Sequence, residues 1–289
     1  MLSNEEPSYS KNIHSYFIGF EEDEQLRSSF IRELTIHQID HPITLGLSEE
    51  TLSPLIPKKL IQYWHDQHDI PEDVKVCLDS WGRLRDEGFE ISIFNDETAA
   101  TYIADRFGAN ECRAFALCKH PAMRCDYLRM CILFLEGGLY VDADDVLLGN
   151  TWKYIFRDGL LKVQPLCYDI PSHSMVSASE IWRAELSTDK RIFYVNNDPI
   201  AAPAGHPILR IALTHATEKL LNQDHIPEIQ STTGPGNFTA ALAAHANNLI
   251  TQGVPLDFEF LRNWETIAET RWDLSYRNDE RNWRNIHLA

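Results

Sequence analysis

The sequence predicts an α/β protein with a parallel sheet, preceded by a helical extension. From Pro57 onward, short apolar segments typical of strands alternate with segments of helical periodicity, which indicates strands joined by crossover helices. Before it, residues 1–55 contain few strand signals and one amphipathic stretch, Glu21 to Thr35, whose apolar side chains recur every four positions. We therefore expect an N-terminal helical extension over residues 1–55 and an α/β domain over residues 56–289.

The individual strands and helices can be placed in order along the chain. The expected strands are Leu60 to Trp64, Phe89 to Phe94 and Leu139 to Val141. The expected helices are Val74 to Arg85, a helix capped by Asp96 that reaches Phe107, Pro121 to Glu136, and a helix that begins at Gly205-His206-Pro207 and runs to Leu221. Gly137 and Gly138 end the third of these helices, so the next strand follows it directly.

The charge balance argues against a nucleic-acid partner. The chain has 289 residues, with 43 acidic and 26 basic side chains, and a formal net charge of −17. Nucleic acids and anionic membranes attract proteins through clustered lysine and arginine side chains, and this sequence contains no basic block. We therefore expect no nucleic-acid partner.

No segment of the sequence predicts export or membrane insertion. Residues 1–10 are polar and acidic, so they lack the basic start and the apolar stretch of a secretory signal. The longest apolar run, Met130 to Leu135, is far shorter than the roughly 20 residues that span a bilayer. The six cysteines form no CxxC pair and are expected to be reduced thiols. We expect a cytoplasmic protein without a transmembrane segment, with peripheral attachment to the inner membrane or non-classical delivery into a host cell as alternatives.

An acidic cluster, Asp142-Ala143-Asp144-Asp145, follows the third strand. Ligands of open α/β sheets bind outside the carboxyl ends of the strands. Neighbouring carboxylates stay ionised there only if solvent or a cation compensates their repulsion. Because oxygen ligands suit hard divalent cations such as Mg²⁺ and Mn²⁺, the cluster is a candidate metal site, and a solvated acidic turn is the alternative.

A charged pair lies on the helix that precedes this strand. Asp126 and Arg129 are three positions apart, so they share one face of an otherwise apolar helix, and Arg124 lies nearby. The apolar run Met130 to Leu135 surrounds the helix and indicates burial on more than one side. Buried or cleft-lining charges are more often functional than surface charges. The pair is therefore a candidate for the active site, and a solvent-exposed intrahelical ion pair is the alternative.

Four segments of the sequence form an ordered set of motifs. They are Ile56 to Trp64, Arg124 to Asp144, Asn197 with Ala202 to Pro207, and Thr233 to Pro235. They resemble, in this order, the opening strand, the DxD region, the N…GHP segment and the TGP turn of the retaining sugar transferases of glycosyltransferase family 32. That family includes yeast-type mannosyltransferases and bacterial capsule enzymes, and it is related to the glucosylating domains of large clostridial toxins. The resemblance spans residues 56–239.

This resemblance implies a GT-A fold, a Rossmann-like nucleotide-diphospho-sugar transferase domain. It implies a retaining hexosyltransferase that moves a sugar from a UDP- or GDP-sugar to an acceptor, which would be a glycan, a lipid or a protein. The implied cofactor is Mn²⁺ or Mg²⁺. An acidic protein needs a metal or local cations to bind the donor diphosphate, and the same charges stabilise the diphosphate as it departs.

The resemblance also assigns roles to single residues. Asp144 would ligate the metal, and Asp142 would contact the ribose, or the metal through water. Asp126 and Arg129 would bind the hydroxyls of the donor sugar. Trp64 would stack on the nucleotide base, with a core aromatic as the alternative. The remaining donor-binding candidates are Gln62, Arg124, Tyr140, Asn197, Thr233 and Trp283, and His287 is the candidate C-terminal metal ligand.

Two other functions remain open from the sequence. The segment Tyr140 to Leu147 also resembles the first motif of haloacid-dehalogenase-type phosphatases, in which Asp142 would be the covalent nucleophile. That motif usually follows the first strand of its domain rather than the third. A non-catalytic sugar-nucleotide-binding module on the same fold is the other alternative. Residues 1–55, 165–190 and 255–289 are candidates for acceptor or lid functions. Trp182-Arg183 and Trp272 are the candidate platforms for a sugar, with ordinary loop packing as the alternative.

Overall fold

The computed structural model describes residues 16–40, 55–222 and 228–285. In this part of the chain the strands are β1 (Lys59–Tyr63), β2 (Glu90–Phe94), β3 (Gly138–Tyr140), β4 (Asp145–Leu147), β5 (Leu161–Asp169), β6 (Ser174–Met175), β7 (Arg191–Ala202), β8 (Phe258–Phe260) and β9 (Ala268–Thr270). The α-helices are α1 (Glu24–Asp40), α2 (Glu72–Ser80), α3 (Asp96–Arg106), α4 (Ala109–Leu117), α5 (Pro121–Glu136), α6 (Ala178–Ile181), α7 (Pro207–Leu221), α8 (Ile229–Thr232) and α9 (Pro235–Gln252).

The main sheet is mixed, and its parallel part consists of β2, β1 and β3 in this spatial order. Strand β7 pairs antiparallel with β3 and β5, β6 pairs antiparallel with β5, and β8 pairs parallel with β5. Strands β4 and β9 form a separate antiparallel pair. The α/β class is confirmed, but the predicted parallel arrangement is limited to β2, β1 and β3 and to the pair β5–β8. Between β5 and β7 the chain contains only β6 and the four-residue helix α6, so there is no long crossover helix to bring β7 back parallel to β5.

The helices and strands around the candidate site lie close to their predicted positions. Helix α5 covers the predicted residues 121–136, and α7 covers the predicted residues 207–221. Strands β1 and β3 each begin and end one residue earlier than expected. The helix expected from Val74 to Arg85 is instead α2 followed by the 3-10 helix Trp81–Glu87.

The predicted cap of α3 is wrong by one residue. Oδ1 of Asn95 accepts a hydrogen bond from the backbone N–H of Thr98 at 2.8 Å, and the hydroxyl of Thr98 accepts one from the backbone N–H of Asn95 at 2.9 Å. Asn95 is therefore the N-cap, and the two residues form a reciprocal capping box. Asp96 is the first helical residue, and its carboxylate binds Arg124 at 2.7 Å.

Helix α1, the helical part of the N-terminal extension, packs into the main hydrophobic core. Phe30, Ile31 and Leu34 are fully buried in the same cluster as residues of β7 and α9. The guanidinium of Arg32 is buried and donates hydrogen bonds to the backbone carbonyls of Ile181 at 2.7 Å and Ala184 at 3.2 Å. The helical N-terminal region is confirmed, and a domain boundary at residue 55 stays a prediction.

Gly138 allows β1 and β3 to approach closely. Its φ is +118°, in the region that side chains disfavour, and a Cβ atom there would lie 2.8 Å from the backbone oxygen of Lys59 on β1. A larger residue would push β3 away from β1. The glycine thus sets the position of the residues that follow β3, which include Asp142 and Asp144.

Two further features concern the predictions about membrane insertion and about the cysteines. None of the helices in residues 16–40, 55–222 and 228–285 is long and apolar enough to cross a membrane. The six cysteines are unpaired, and all except Cys112 are buried.

Candidate functional site

A cleft of about 800 Å³ opens at the carboxyl ends of β1 and β3. This edge of the sheet is where α/β proteins bind ligands. The four predicted catalytic residues all line the cleft, together with three of the predicted donor-binding residues: Asp126, Arg129, Asp142, Asp144, Trp64, Asn197 and Trp283. The fold therefore brings together side chains that are more than 200 positions apart in the sequence.

Arg129 is the centre of a charged network on the floor of the cleft. Its side chain is 4% exposed, and Nη2 lies 2.8 Å from Oδ1 of Asp142 and 3.2 Å from Oδ1 of Asp126. Nη1 donates to the backbone carbonyl of Asn197, and the guanidinium lies over the ring of Tyr140 at 4.1 Å. Burial opposes the charged form, but Asp142 and its neighbours raise the pKa of Arg129 well above its usual range. The guanidinium is therefore charged and held in one orientation.

Asp126 is held by two residues that are predicted to bind the donor. Its Oδ1 accepts a hydrogen bond from Nδ2 of Asn197 at 2.8 Å, and its Oδ2 accepts one from the hydroxyl of Thr233 at 3.3 Å. Burial raises the pKa of Asp126 to about 6, although the positive charge of Arg129 acts in the opposite direction. The carboxylate is thus fixed in position and ionises near neutral pH.

Asp142 is anchored from both sides. Its Oδ1 accepts hydrogen bonds from Arg129 at 2.8 Å and from the hydroxyl of Tyr140 at 3.0 Å. Its backbone N–H donates to Oδ1 of Asp198 on β7 at 2.9 Å. The antiparallel register, in which Tyr140 pairs with Ile200, brings Asp142 opposite Asp198. The start of the DxD turn is therefore fixed by β7 as well as by α5.

Asp144 is bound by the C-terminal segment. The hydroxyl of Tyr276 donates to Oδ2 of Asp144 at 2.8 Å, and Arg277 forms an ion pair with the same oxygen. Burial and the charge of Asp142 raise the pKa of Asp144, and the charge of Arg277 opposes this shift. The 3-10 helix Ser275–Asn278 therefore closes one side of the cleft over the DxD motif.

The donors at this position suit a hard divalent cation. Asp142 and Asp144 offer only oxygen, and the hydrogen bonds to the Asp142 carboxylate all go to Oδ1, so within the described residues Oδ2 is free. No group of three or more His, Cys, Asp or Glu side chains in the described ranges is arranged to hold a metal. Mg²⁺ is usually held by one or two carboxylates together with substrate phosphates and water. The residues therefore fit a cation shared with a phosphate-bearing substrate.

The two predicted aromatic residues have different neighbours in the cleft. Trp64 is 7% exposed, its indole N–H donates to the backbone carbonyl of Asp69 at 3.0 Å, and its ring meets that of Tyr276 edge-on at 5.3 Å. Trp283 lies under the guanidinium of Arg284, 4.5 Å from Cζ to the ring centroid. Both residues line the cleft, and their contact with a nucleotide stays a prediction.

Four of the predicted donor-binding residues do not line the cleft. Gln62 is completely buried in β1, and its side-chain amide has no hydrogen-bond partner in the described part of the chain. Arg124 binds a carboxylate on α3 and the backbone carbonyl of residue 118 at 3.0 Å. Tyr140 and Thr233 lie behind the cleft, where they support Asp142 and Asp126. The candidate metal ligand His287 lies outside the described residues.

Several cleft residues were not singled out from the sequence. Asp198 directly follows Asn197, so the recognised N…GHP segment was the signal that could have included it. Tyr276 and Arg277 lie in a C-terminal segment without regular periodicity, and no local pattern marks them, whereas Arg284 directly follows the predicted residue Trp283, which was the signal that could have included it. Their proximity to Asp144 follows only from the path of the folded chain.

Comparison with known proteins gives the same interpretation for the central segment. Residues 71–161 match the family model described as a glycosyltransferase sugar-binding region containing a DXD motif. This segment contains α5 and the acidic cluster, and therefore all four predicted catalytic residues. It covers about a third of the chain.

Three similar proteins are named initiation-specific alpha-1,6-mannosyltransferases. The protein from Saccharomyces cerevisiae is 22% identical over 212 residues, which cover 64% of this chain and 44% of the relative. The Candida albicans protein is 23% identical over 75% of this chain and 59% of its own length, and the Schizosaccharomyces pombe protein is 25% identical over 73% and 53%. The chain thus spans about half the length of these relatives.

A solved structure named PaToxG Glycosyltransferase is similar at 18% identity, with a TM-score of 0.44, over 81% of this chain and 82% of that one. The family match and the mannosyltransferase relatives confirm the resemblance to DXD-containing sugar transferases that the sequence motifs predict. They support the prediction that the chain is a glycosyltransferase.

Proposed function

We propose that this chain is a metal-dependent glycosyltransferase that moves a sugar from a nucleotide-sugar donor to an acceptor. The observation that carries the proposal is the contact of Arg129 with both Asp126 and Asp142 on the floor of a large cleft. Burying such charges is costly for folding, so their position at a ligand-binding edge favours a functional role. The same residues lie in the segment that matches the sugar-binding family model.

Asp126 and Arg129 would bind the hydroxyl groups of the donor sugar. Asp126 provides a carboxylate acceptor, and Arg129 provides N–H donors. Both side chains are less than one-tenth exposed and are held by neighbouring groups, so little conformational freedom is lost when a sugar binds. Since the relatives are named mannosyltransferases, a mannosyl donor is the first to test.

Asp142 and Asp144 would hold Mn²⁺ or Mg²⁺ together with the donor diphosphate. When bound, the cation would supply positive charge that stabilises the departing diphosphate. Arg129 and Tyr140 orient the carboxylate of Asp142 for this role. The donor would be a UDP- or GDP-sugar.

The acceptor would enter at the open side of the same cleft. Trp272 is 64% exposed and lines the cleft, and aromatic faces are common platforms for sugars. The proposed acceptor is a glycan, a lipid or a protein. The phosphatase alternative gains no support from the structure, because Asp142 follows the third strand along the chain, whereas the nucleophile of that motif usually follows the first.

The proposal is tested with a panel of UDP- and GDP-sugars in the presence and absence of Mn²⁺, with donor hydrolysis as the readout. We expect turnover that requires the cation and falls by about 100-fold or more in Asp144→Asn. Asp79→Asn, which changes an exposed carboxylate on α2, is the matched control and should be fully active. Full activity in excess chelator would disprove metal dependence. If no nucleotide sugar is bound or hydrolysed, the proposed function is wrong.

A further inference from the structure

Two guanidinium groups and two indole rings alternate along one side of the cleft. Cζ of Arg277 lies 4.4 Å from the ring centroid of Trp272. Cζ of Arg284 lies 5.6 Å from the ring centroid of Trp272 and 4.5 Å from that of Trp283. All four side chains line the cleft, and we call them the Arg–Trp wall.

The arginines of the cleft differ in their charge partners. Arg129 and Arg277 pair with carboxylates of the acidic cluster, and Arg281 pairs with Asp279 at 2.7 Å. Arg284 is exposed, and within the described residues no carboxylate lies within ion-pair distance of it. A cation without an acidic partner is thus kept at the cleft of a chain whose net charge is −17.

We propose that Arg284 binds the phosphate groups of a nucleoside diphosphate, which the sugar donor and the leaving group have in common. This inference rests on the proposed function and adds a residue to it. Among the described residues, the only hydrogen bond of Arg284 is donated by its backbone N–H to Asn282, so the N–H groups of its guanidinium are available to a ligand. That edge matches the spacing of phosphate oxygens and forms charge-assisted hydrogen bonds with them.

The position of Arg284 favours a diphosphate over other anions. Arg284 and Arg277 both lie over the ring of Trp272, and Arg277 pairs with Asp144, so a phosphate bound to Arg284 would lie on the same side of the cleft as this candidate cation ligand. Several carboxylates face the same cleft, and an anion can bind there only next to a positive charge that is still available. When the bond between sugar and phosphate breaks, negative charge grows on the phosphate oxygens, and Arg284 would stabilise that charge.

The test is calorimetric titration of the full chain with UDP, GDP, uridine, guanosine and inorganic phosphate at fixed Mn²⁺ concentration and ionic strength. We expect Arg284→Gln to weaken binding of the preferred nucleoside diphosphate by about ten-fold or more, while binding of its nucleoside is unchanged. Arg284→Lys keeps the charge but not the planar fork, so an intermediate loss is expected. The matched control Arg210→Gln removes an exposed guanidinium from α7, outside the cleft, and should have no effect.

The possible results separate this inference from the proposed function. If Arg284→Gln binds the nucleoside diphosphate as tightly as the control does, the inference is wrong and the proposed function stands. If the variant loses as much affinity for the nucleoside as for the nucleoside diphosphate, Arg284 supports the structure of the Arg–Trp wall without binding phosphate. The inference is then also wrong. If the variant loses affinity for inorganic phosphate alone, Arg284 binds a phosphate group other than those of the donor, and the inference is wrong. If the unaltered chain binds no nucleoside diphosphate, both the inference and the proposed function fail.

Discussion

The guanidinium of Arg277 forms an ion pair with Oδ2 of Asp144, the second aspartate of the DxD motif. Both side chains are only 12% exposed, so this pair is poorly screened by solvent. Arg277 thus places a positive charge at a carboxylate that we assign to a divalent cation. The cation and the arginine would have to share or exchange this ligand.

We therefore expect Arg277→Gln to bind Mn²⁺ more tightly than the unaltered chain, by about ten-fold, because one positive charge in contact with Asp144 is removed. Mn²⁺ binding is measured without nucleotide, and electron paramagnetic resonance detects the free ion. Arg210→Gln on the exposed surface of α7 is the control for the loss of one charge. Equal or weaker Mn²⁺ affinity in Arg277→Gln would show that the pair does not compete with the cation.

The buried carboxyl of Asp126 predicts a pH dependence of activity. Burial raises its pKa to about 6, so the carboxylate that would accept a sugar hydroxyl is protonated as the pH falls through 6. We expect kcat/KM for the nucleotide sugar to decline below about pH 6 in the unaltered chain. Asp126→Asn should have low activity at every pH, and its activity should show no change near pH 6. Its binding of the bare nucleotide should change little.

The stability of the protein serves as a control for this experiment. Because the folded chain holds the proton of Asp126 more tightly than the unfolded chain, this group stabilises the fold as the pH is lowered from about 6 toward 4. Protonation of Asp126 therefore gives no reason for unfolding in that range. If activity and folded fraction fall together between pH 6 and pH 5, the loss of activity does not report on Asp126.

Gly138 is expected to be sensitive to any side chain. In Gly138→Ala the new Cβ would lie 2.8 Å from the backbone oxygen of Lys59, at a φ of +118° that alanine disfavours. We expect a loss of about 2 kcal/mol in the free energy of unfolding, measured by urea denaturation. Gly149→Ala is the control, since among the described residues no atom beyond its chain neighbours lies within 4 Å of the position its Cβ would take. Equal stability of the two variants would contradict the close approach of β1 and β3.

The stereochemistry of transfer is a further prediction of the proposed function. Retention by two displacements requires a carboxylate nucleophile on the face of the sugar opposite the diphosphate. Both carboxylate oxygens of Asp126 accept hydrogen bonds, Asp142 is assigned to the cation, and Asp198 accepts the backbone N–H of Asp142, so we assign none of them as the nucleophile. We expect front-face transfer, in which the departing diphosphate accepts the proton of the acceptor and Arg129 holds charge and orientation.

Under this mechanism an α-linked donor gives an α-linked product, and no covalent sugar adduct of the protein accumulates. The anomeric proton of the first product, observed by NMR before any mutarotation, reports the linkage. Mass spectrometry of the protein during turnover reports an adduct. A β-linked product would mean inversion, and a trapped sugar adduct on an aspartate would indicate double displacement.

Local sequence was sufficient to predict the elements that carry the candidate site. Helix α5 begins at a proline and ends at a glycine, and both signals act within the chain itself, so its bounds were predicted correctly. The acidic cluster after β3 was recognised for the same reason, because a strand followed directly by aspartates places them at the sheet edge whatever the rest of the chain does. The family resemblance of this region depended on these same residues.

Other properties depended on contacts between distant segments. The antiparallel pairing of β7 with β3 and β5 is a choice among sheet neighbours that no local periodicity encodes. Gln62 and Trp64 belong to one predicted motif, but the side chain of Gln62 is buried while Trp64 lines the cleft. Residues two apart in a strand point to the same face, but β1 ends at Tyr63, so the path of the chain beyond the strand places Trp64.

The sequence by itself determined the acidic motif, the charged helix face and the glycines that shape this edge of the sheet. Only the tertiary structure decided which other groups meet them: Asp198 beside Asp142, Arg277 on Asp144, and Arg284 between two indole rings. The physical reason is the range of the interactions. Capping, backbone conformation and side-chain periodicity act within a few residues of the chain, whereas ion pairs and ring contacts depend only on distance in space, which the whole fold sets.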